Sequence, residues 1–407
     1  MVPSTLGQLI LGYQLVWNRQ RQVAAVQLFI RPHGKDPVEG AHFLRTVNQT
    51  WSEHGPDLLL TPETPALLVD LLDHGQTEGP PLVVQHVLLM HDPAVAAAVQ
   101  RAHARGMPLL WRGAPGERPD TTMKTCFIRT MLGLTAGETI VGARDLLRQS
   151  PAEASSQSPV TSGQIIESVP SRRMADYCLD QQAAWGVAGW PTDDVLLSHQ
   201  RLPIQASHKA ITRLIQQTDA DASLELLEHT LADEPLLAYR FLRYTNSAAV
   251  GLRSGVESLR HGLMLLGLSR FKTWLVEQLP QAGNEPDMDP IRVAMVMRAR
   301  LMENLLDAGD EDTLRREVFL TGMLSQIDGL LGEPLRDALQ RLPLSDRVNG
   351  AILGGSGPYA PFLELAAALE YPNMDKVSGL CTTHDLSLSE VNRTLLRVLA
   401  QLHKGPG

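Results

Sequence analysis

Metal-assisted phosphate chemistry needs carboxylates or histidines gathered at one point. Hard divalent cations want several oxygen ligands and then activate the attacking water. The chain offers two literal His-Asp pairs, His91-Asp92 and His384-Asp385. The first precedes Pro93 at the head of an alanine-rich stretch, where an aspartate caps a helix. The second lies in the loop before Ser387, which with Glu390 forms a capping box. Both read as helix starts rather than ligands. The other histidines lack the spacing that a metal site requires. Cys126, Cys178 and Cys381 are scattered with no CxxC, which argues against structural zinc and fits a reducing compartment. The run LGGSG (Leu353–Gly357) lacks the lysine and the strand–turn–helix setting of a phosphate loop. Arg253 and Arg260 flank a bend in RSGVESLRHG. A solvated helix start is the plain reading of these arginines, and a docking surface for a partner protein is the sharper one. Trp185 and Trp190 read as packing residues rather than a stacking platform.

The bulk numbers bound what these residues can serve. A chain of 407 residues exceeds one ordinary core, so two domains are expected. With 43% hydrophobic and 20% charged residues the composition is that of a soluble globular protein. A formal net charge of -9 argues against nucleic acid as the partner, since phosphate contacts need clustered lysine and arginine. No apolar run reaches the roughly 18 residues of a membrane span, so no membrane partner is expected. The start, MVPSTLGQLILGYQLVW, lacks the basic head of a secretory signal, and the expected location is cytoplasmic.

The elements that would position a site follow in order. Residues 8–30 hold two apolar runs around the polar NRQRQ, which reads as a strand hairpin. Val38 to Glu53 is helical, with Phe43, Val47 and Trp51 on one face. Asp57–Leu60, Leu82–Val87 and Met107–Trp111 then alternate as strands with helices at Thr64–Leu72 and Asp92–Arg105. Thr125–Arg129 and Ser162–Val169 continue the strands, and Ser171–Trp185 is helical. Such alternation implies parallel βαβ units. The Ser/Pro/Ala-rich Gln149–Ser162 reads as a loop inside this first domain. From Leu202 onward no strand competes with helix. Asp221 or Ser223 caps one helix, Pro235 opens another, and Leu268, Phe271, Leu275 and Leu279 form an apolar stripe. Further helices are expected from Asp289, at Asp312–Leu331, Pro334–Arg341, Ser345–Leu353 and Tyr359–Glu370, and after Ser387. The fold class is α/β followed by all-α. The expected domains are 1–195 and 196–385, with residues 386–407 a last helix packing on the second.

LPIQASHKAITRLI, DEPLLAYRFLRYTNSAAVGL and ESLRHGLMLLGLSRFKTWL resemble the HDOD domain, a relative of the HD and HD-GYP phosphohydrolases. Asn246-Ser247, the Gly251 bend and the Leu265-Leu266-Gly267-Leu268 block fall in the family's order. The likeness continues through Phe319–Val348, which is similar to the branch fused to an N-terminal EAL domain. GYQLVWN (Gly12–Asn18) is similar to the opening strand of EAL domains. Ile165–Pro191 resembles their final strand–helix–strand, with Glu167 at that stretch's glutamate. The resemblance implies an EAL-like TIM-type βα barrel joined to a helical HDOD domain.

EAL phosphodiesterases cleave cyclic di-GMP with metals held at barrel strand ends. The resemblance places Gln14 at the glutamate of the Glu-Ala-Leu motif, Asn18 at its phosphate-binding arginine and Thr61 at an asparagine ligand. Gln85 and His86 stand for two glutamates, and Arg112 falls near the paired aspartates. In the HD helix, Ser325 and Gln326 occupy the His-Asp dyad positions. It therefore implies a degenerate pair of domains, with no catalytic residue, metal ligand or cofactor. The implied role is regulation through protein–protein contacts in bacterial second-messenger pathways such as those governing motility, biofilm or stress. One alternative is a cyclic di-GMP receptor without hydrolysis, which the asparagine at Asn18 counts against because a guanidinium clamps phosphate. A second alternative is a residual metal-dependent phosphodiesterase. Partner identity and oligomeric state stay open.

Overall fold

The computed structural model describes residues 5–34, 38–52, 55–117, 119–134, 160–199, 203–248, 250, 255–306, 312–370 and 374–404. They form two compact units, Met1–Asp194 with Ala368–Gly407, and Val195–Ala367.

In the first unit eight strands close a barrel in sequence order. β1 (Leu9–Trp17) and β2 (Val23–Pro32) make the expected hairpin. β3 (Asp57–Pro62), β4 (Leu82–Gln85), β5 (Leu109–Gly113), β6 (Arg129–Gly133), β7 (Ile165–Glu167) and β8 (Gly186–Ala188) follow. β2 to β8 run parallel to their neighbours, and β1 runs antiparallel to both β2 and β8. The strands alternate inward and outward, so each gives one side chain to an interior layer: Val16, Ala25, Leu59, Val83, Leu110, Met131, Ile165 and Ala188.

Two boundaries differ from expectation for local reasons. The β4 run stops at Gln85 because His86 opens the helix His86–His91. β6 starts only at Arg129, because the Asp120 carboxylate accepts from the Met123 amide and caps a turn of helix at Thr121–Lys124. Asp92 caps Pro93–Ala104 as expected, accepting from the Ala94 amide at 2.9 Å. Of the Ser/Pro/Ala-rich stretch, residues 149–159 lie outside the described residues.

The last helix corrects the expected arrangement. Leu388–Ala400 packs on the barrel unit and not on the helical one. A tight turn joins β1 to β2 without an intervening helix. Met374–Thr383 and Leu388–Ala400 pack against β1. Asn392, fully buried, donates to the carbonyls of Leu6 and Leu9, both at 2.7 Å. Ser387 accepts from the Glu390 amide as a cap, while the Glu390 carboxylate pairs with Arg393.

The second unit is helical but for one feature absent from the sequence reading. Ala206–Ser207 and Ala282–Gly283 pair in parallel as two-residue strands. Ser223, not Asp221, caps Leu224–Ala232, and Asp221 turns the chain with φ 50°. The aromatic core joins Phe241 to Phe271 and Trp274, edge to face, at 5.3 and 5.2 Å. Helices Asp289–Leu305 and Asp312–Leu324 approach closely because Gly322 faces Ala299. A Cβ at Gly322 would meet the Ala299 backbone at 2.6 Å.

Candidate functional site

Two residues beyond the interior layer, strands β2 to β7 each set a further residue at the C-terminal end of the barrel. These are Gln27, Thr61, Gln85, Arg112, Gly133 and Glu167, with Gln14 joining from the antiparallel β1 opposite Gln27. Catalytic groups of such barrels stand at this end. Glu167 is 4% exposed, and its Oε2 lies 2.7 Å from Arg112 Nε. Its other oxygen accepts from Gln27 Nε2 at 3.0 Å. The same amide reaches Thr61 Oγ1 at 3.3 Å. The Arg112 guanidinium also lies over the Phe29 ring at 5.8 Å. Gln85 is turned aside, donating to the Pro62 carbonyl at 3.2 Å.

A second charged layer rims this mouth. Arg31, at the end of β2, pairs with Asp375 at 3.0 Å and lies 3.8 Å from Glu63. Burial pushes the Glu63 carboxyl above its usual range, although Arg31 and Arg112 oppose the shift. Among the described residues no three His, Cys, Asp or Glu side chains gather closely enough to hold a metal ion. The donor chemistry of the inner layer points the same way. Its one carboxylate is bonded to the Arg112 guanidinium, and its other side chains are three amides and a hydroxyl. A divalent cation would have to displace Arg112 and accept a cationic neighbour, so this layer does not suit one.

The structure separates the residues that the sequence grouped. Gln14 and Thr61 belong to the strand-end layer. Asn18 does not, because β1 runs antiparallel and carries Asn18 to the opposite end of the barrel. There its Oδ1 accepts from the Gln22 amide in the β1–β2 turn. The arginine at the strand ends of β2 is Arg31, and the buried amide on the same strand is Gln27. Sequence reading missed Gln27, although a lone amide inside the apolar run VAAVQLFI was the available signal.

Ser325 and Gln326 do not lie mid-helix as expected. Asp312–Leu324 ends before them and Ile327–Leu331 begins after them, with Gln326 at φ -131°. Ser325 Oγ donates to the Gly322 carbonyl at 2.7 Å, which ends the first helix. Arg260 bonds to Glu225 at 2.5 Å and lies 3.6 Å from Glu228. Arg253 lies outside the described residues.

Fold and site together define a class: an eight-stranded βα barrel with an arginine-neutralised strand-end layer, in one chain with a helical domain. Residues 204–333 match the family model described as the HDOD domain. An uncharacterised protein of Bacillus subtilis, YuxH, is 30% identical over 192 residues, covering 46% of this chain and 45% of YuxH. The Vibrio cholerae cyclic di-GMP phosphodiesterase CdgJ is 23% identical over 170 residues, covering 42% of this chain and 39% of CdgJ. The chain thus spans less than half the length of these curated relatives. Among solved structures, the MmoQ response regulator of Methylococcus capsulatus aligns with a TM-score of 0.37 and 18% identity, over 45% of this chain and 94% of MmoQ. Klebsiella pneumoniae BlrP1, in complex with calcium and cyclic di-GMP, aligns with a TM-score of 0.30 and 14% identity, over 47% of this chain and 57% of BlrP1.

Proposed function

We propose that this protein is a non-catalytic signalling protein of cyclic di-GMP-related pathways, acting through protein–protein contacts. The observation that carries the reading is the Arg112–Glu167 pair. Among the described residues it fills the place where a metal-dependent barrel needs bare carboxylates, which argues against activation of water there. The HDOD match and the similarity to CdgJ support the pathway class. The surface around Arg260 is the region for a partner. Incubation of the full chain with cyclic di-GMP and Mg²⁺ or Mn²⁺ is expected to give no linear product. Turnover that disappears on chelation overturns the proposal. In capture experiments with the full chain, Arg260→Glu is expected to lose a partner that the unmodified protein retains.

A second reading has its own observation. Arg31 and Arg112 both stand at the strand ends, where two guanidiniums can clamp phosphate. With Asn18 at the other end of the barrel, its asparagine no longer counts against a ligand. The protein would then be a cyclic di-GMP receptor without hydrolysis. Calorimetry separates the readings: binding tighter than about 10 μM favours the receptor, and heat-free titration removes it.

A further inference from the structure

The opposite, N-terminal end of the barrel is open. A pocket of about 560 Å³ lies there, with Leu59, Leu110 and Ile165 of the interior layer as its floor. In barrels of this kind that end ordinarily contributes stability rather than chemistry. Here its wall holds Arg129, half-buried, with the guanidinium 4.4 Å from the centre of the Trp185 ring. Arg129 Nη1 donates to the Gly163 carbonyl at 2.8 Å. Among the described residues no carboxylate forms an ion pair with it. Asp57, whose field reaches Arg129, is itself bonded to Lys404 at 2.5 Å. Burial pulls the Arg129 pKa below the usual guanidinium range.

A cation partly stripped of water and lacking a counter-ion is costly, and stacking on an indole recovers only about 1 kcal/mol. The charge missing beside Arg129 is therefore negative, since Asp57 is taken up by Lys404. The rest of the lining mixes apolar residues such as Leu58, Pro81 and Pro108 with Asn48, Thr77 and the carboxylates of Asp57 and Glu78. Ile128 is 68% exposed beside Arg129, and Trp51 and Trp185 add indole surface. The pocket's size falls within the range of small-ligand sites.

We propose that this pocket binds a small organic anion with a flat apolar body, its acidic group on Arg129 and its body against Ile128 and Trp185. The site is separate from the Glu167 layer and does not depend on whether that layer is catalytic. An effector bound here would reach the strands of the barrel from the end opposite to the one used for chemistry.

Anilinonaphthalene sulfonate serves as the probe, with neutral phenylnaphthylamine sharing its rings but not its charge. Titrated against the full chain, the sulfonate is expected to saturate one site and to bind at least about tenfold more tightly than the neutral compound. Arg129→Gln is expected to remove that difference while leaving the neutral compound's affinity unchanged. Ile128→Glu changes an exposed side chain and so spares the fold. It sets a carboxylate beside Arg129 and is expected to weaken the sulfonate by about tenfold. Equal binding of the two compounds, no saturable binding of the sulfonate, or full sulfonate affinity in either variant overturns the proposal.

Discussion

With Arg112 replaced by alanine, Glu167 keeps a carboxylate that is 4% exposed and has only the Gln27 amide to answer it. Removing one member of a buried ion pair leaves an uncompensated charge, which costs about 3–5 kcal/mol where the pair is fully buried. The Arg112 side chain is 30% exposed, so water reaches it and the lower part of that range applies. Arg112→Ala is expected to lose about 3 kcal/mol in urea unfolding. Adding Glu167→Gln should restore most of the loss, because the double change leaves no buried charge. A loss in the double variant equal to the sum of the two single changes would sink the idea that the pair is a unit. Much of this layer was legible in the sequence. Thr61, Gln85, Arg112 and Glu167 lie at the strand ends where the resemblance to EAL domains put them. Asn18 was misplaced because strand direction is set by pairing with β2 and β8, which no local pattern encodes.

At the scale of elements, the short parallel pairing Ala206–Ser207 with Ala282–Gly283 is joined to the start of helix Pro235–Thr245 by Glu234. Glu234 is 8% exposed, and burial pushes its pKa up to about 7, with Arg292 at 3.5 Å opposing the shift only in part. The ion pair is present, yet desolvation outweighs it. A carboxyl raised in the folded state binds its proton more tightly than in the unfolded chain. Its contribution to stability is therefore fully present at and below the ordinary glutamate pKa of 4.5 and is lost as pH rises to about 7. Glu234→Gln should remove that decline, which amounts to about 3 kcal/mol across the window. Burial raises Asp289 as well, so a smaller slope remains in the variant. Urea midpoints taken near pH 5 and near pH 8 check this, and an unchanged slope in Glu234→Gln would contradict it. Helix starts were the most legible elements, because Ser223, Ser345 and Ser387 each cap through their own hydroxyl. The two-residue strands were not, since they are held by a partner some seventy residues away and have no pattern of their own.

At the scale of the whole chain, order along the sequence is not order in space. The helical unit Val195–Ala367 is inserted between the barrel and the barrel's own last two helices. The sequence shows the capped, amphipathic helix after Ser387 plainly, but its apolar face says only that it is covered, not by what. The missing information was its place against β1, whose hairpin to β2 carries no crossover helix. Val391, Leu395, Leu396, Val398 and Leu399 are buried in that packing. At about 1.5–3 kcal/mol for each large apolar side chain, their removal costs on the order of 10 kcal/mol. That matches the whole stability of an ordinary domain. A protein ending after Glu370 should therefore lose cooperative unfolding of the barrel, followed by the near-ultraviolet signal of Trp17 and Trp111. Asn392→Ala, which removes two buried hydrogen bonds but leaves the apolar face, should cost only about 2–3 kcal/mol and keep the transition cooperative. Were the shortened protein to unfold at the same temperature as the full one, the last helices would be an accessory to the barrel and not part of its fold.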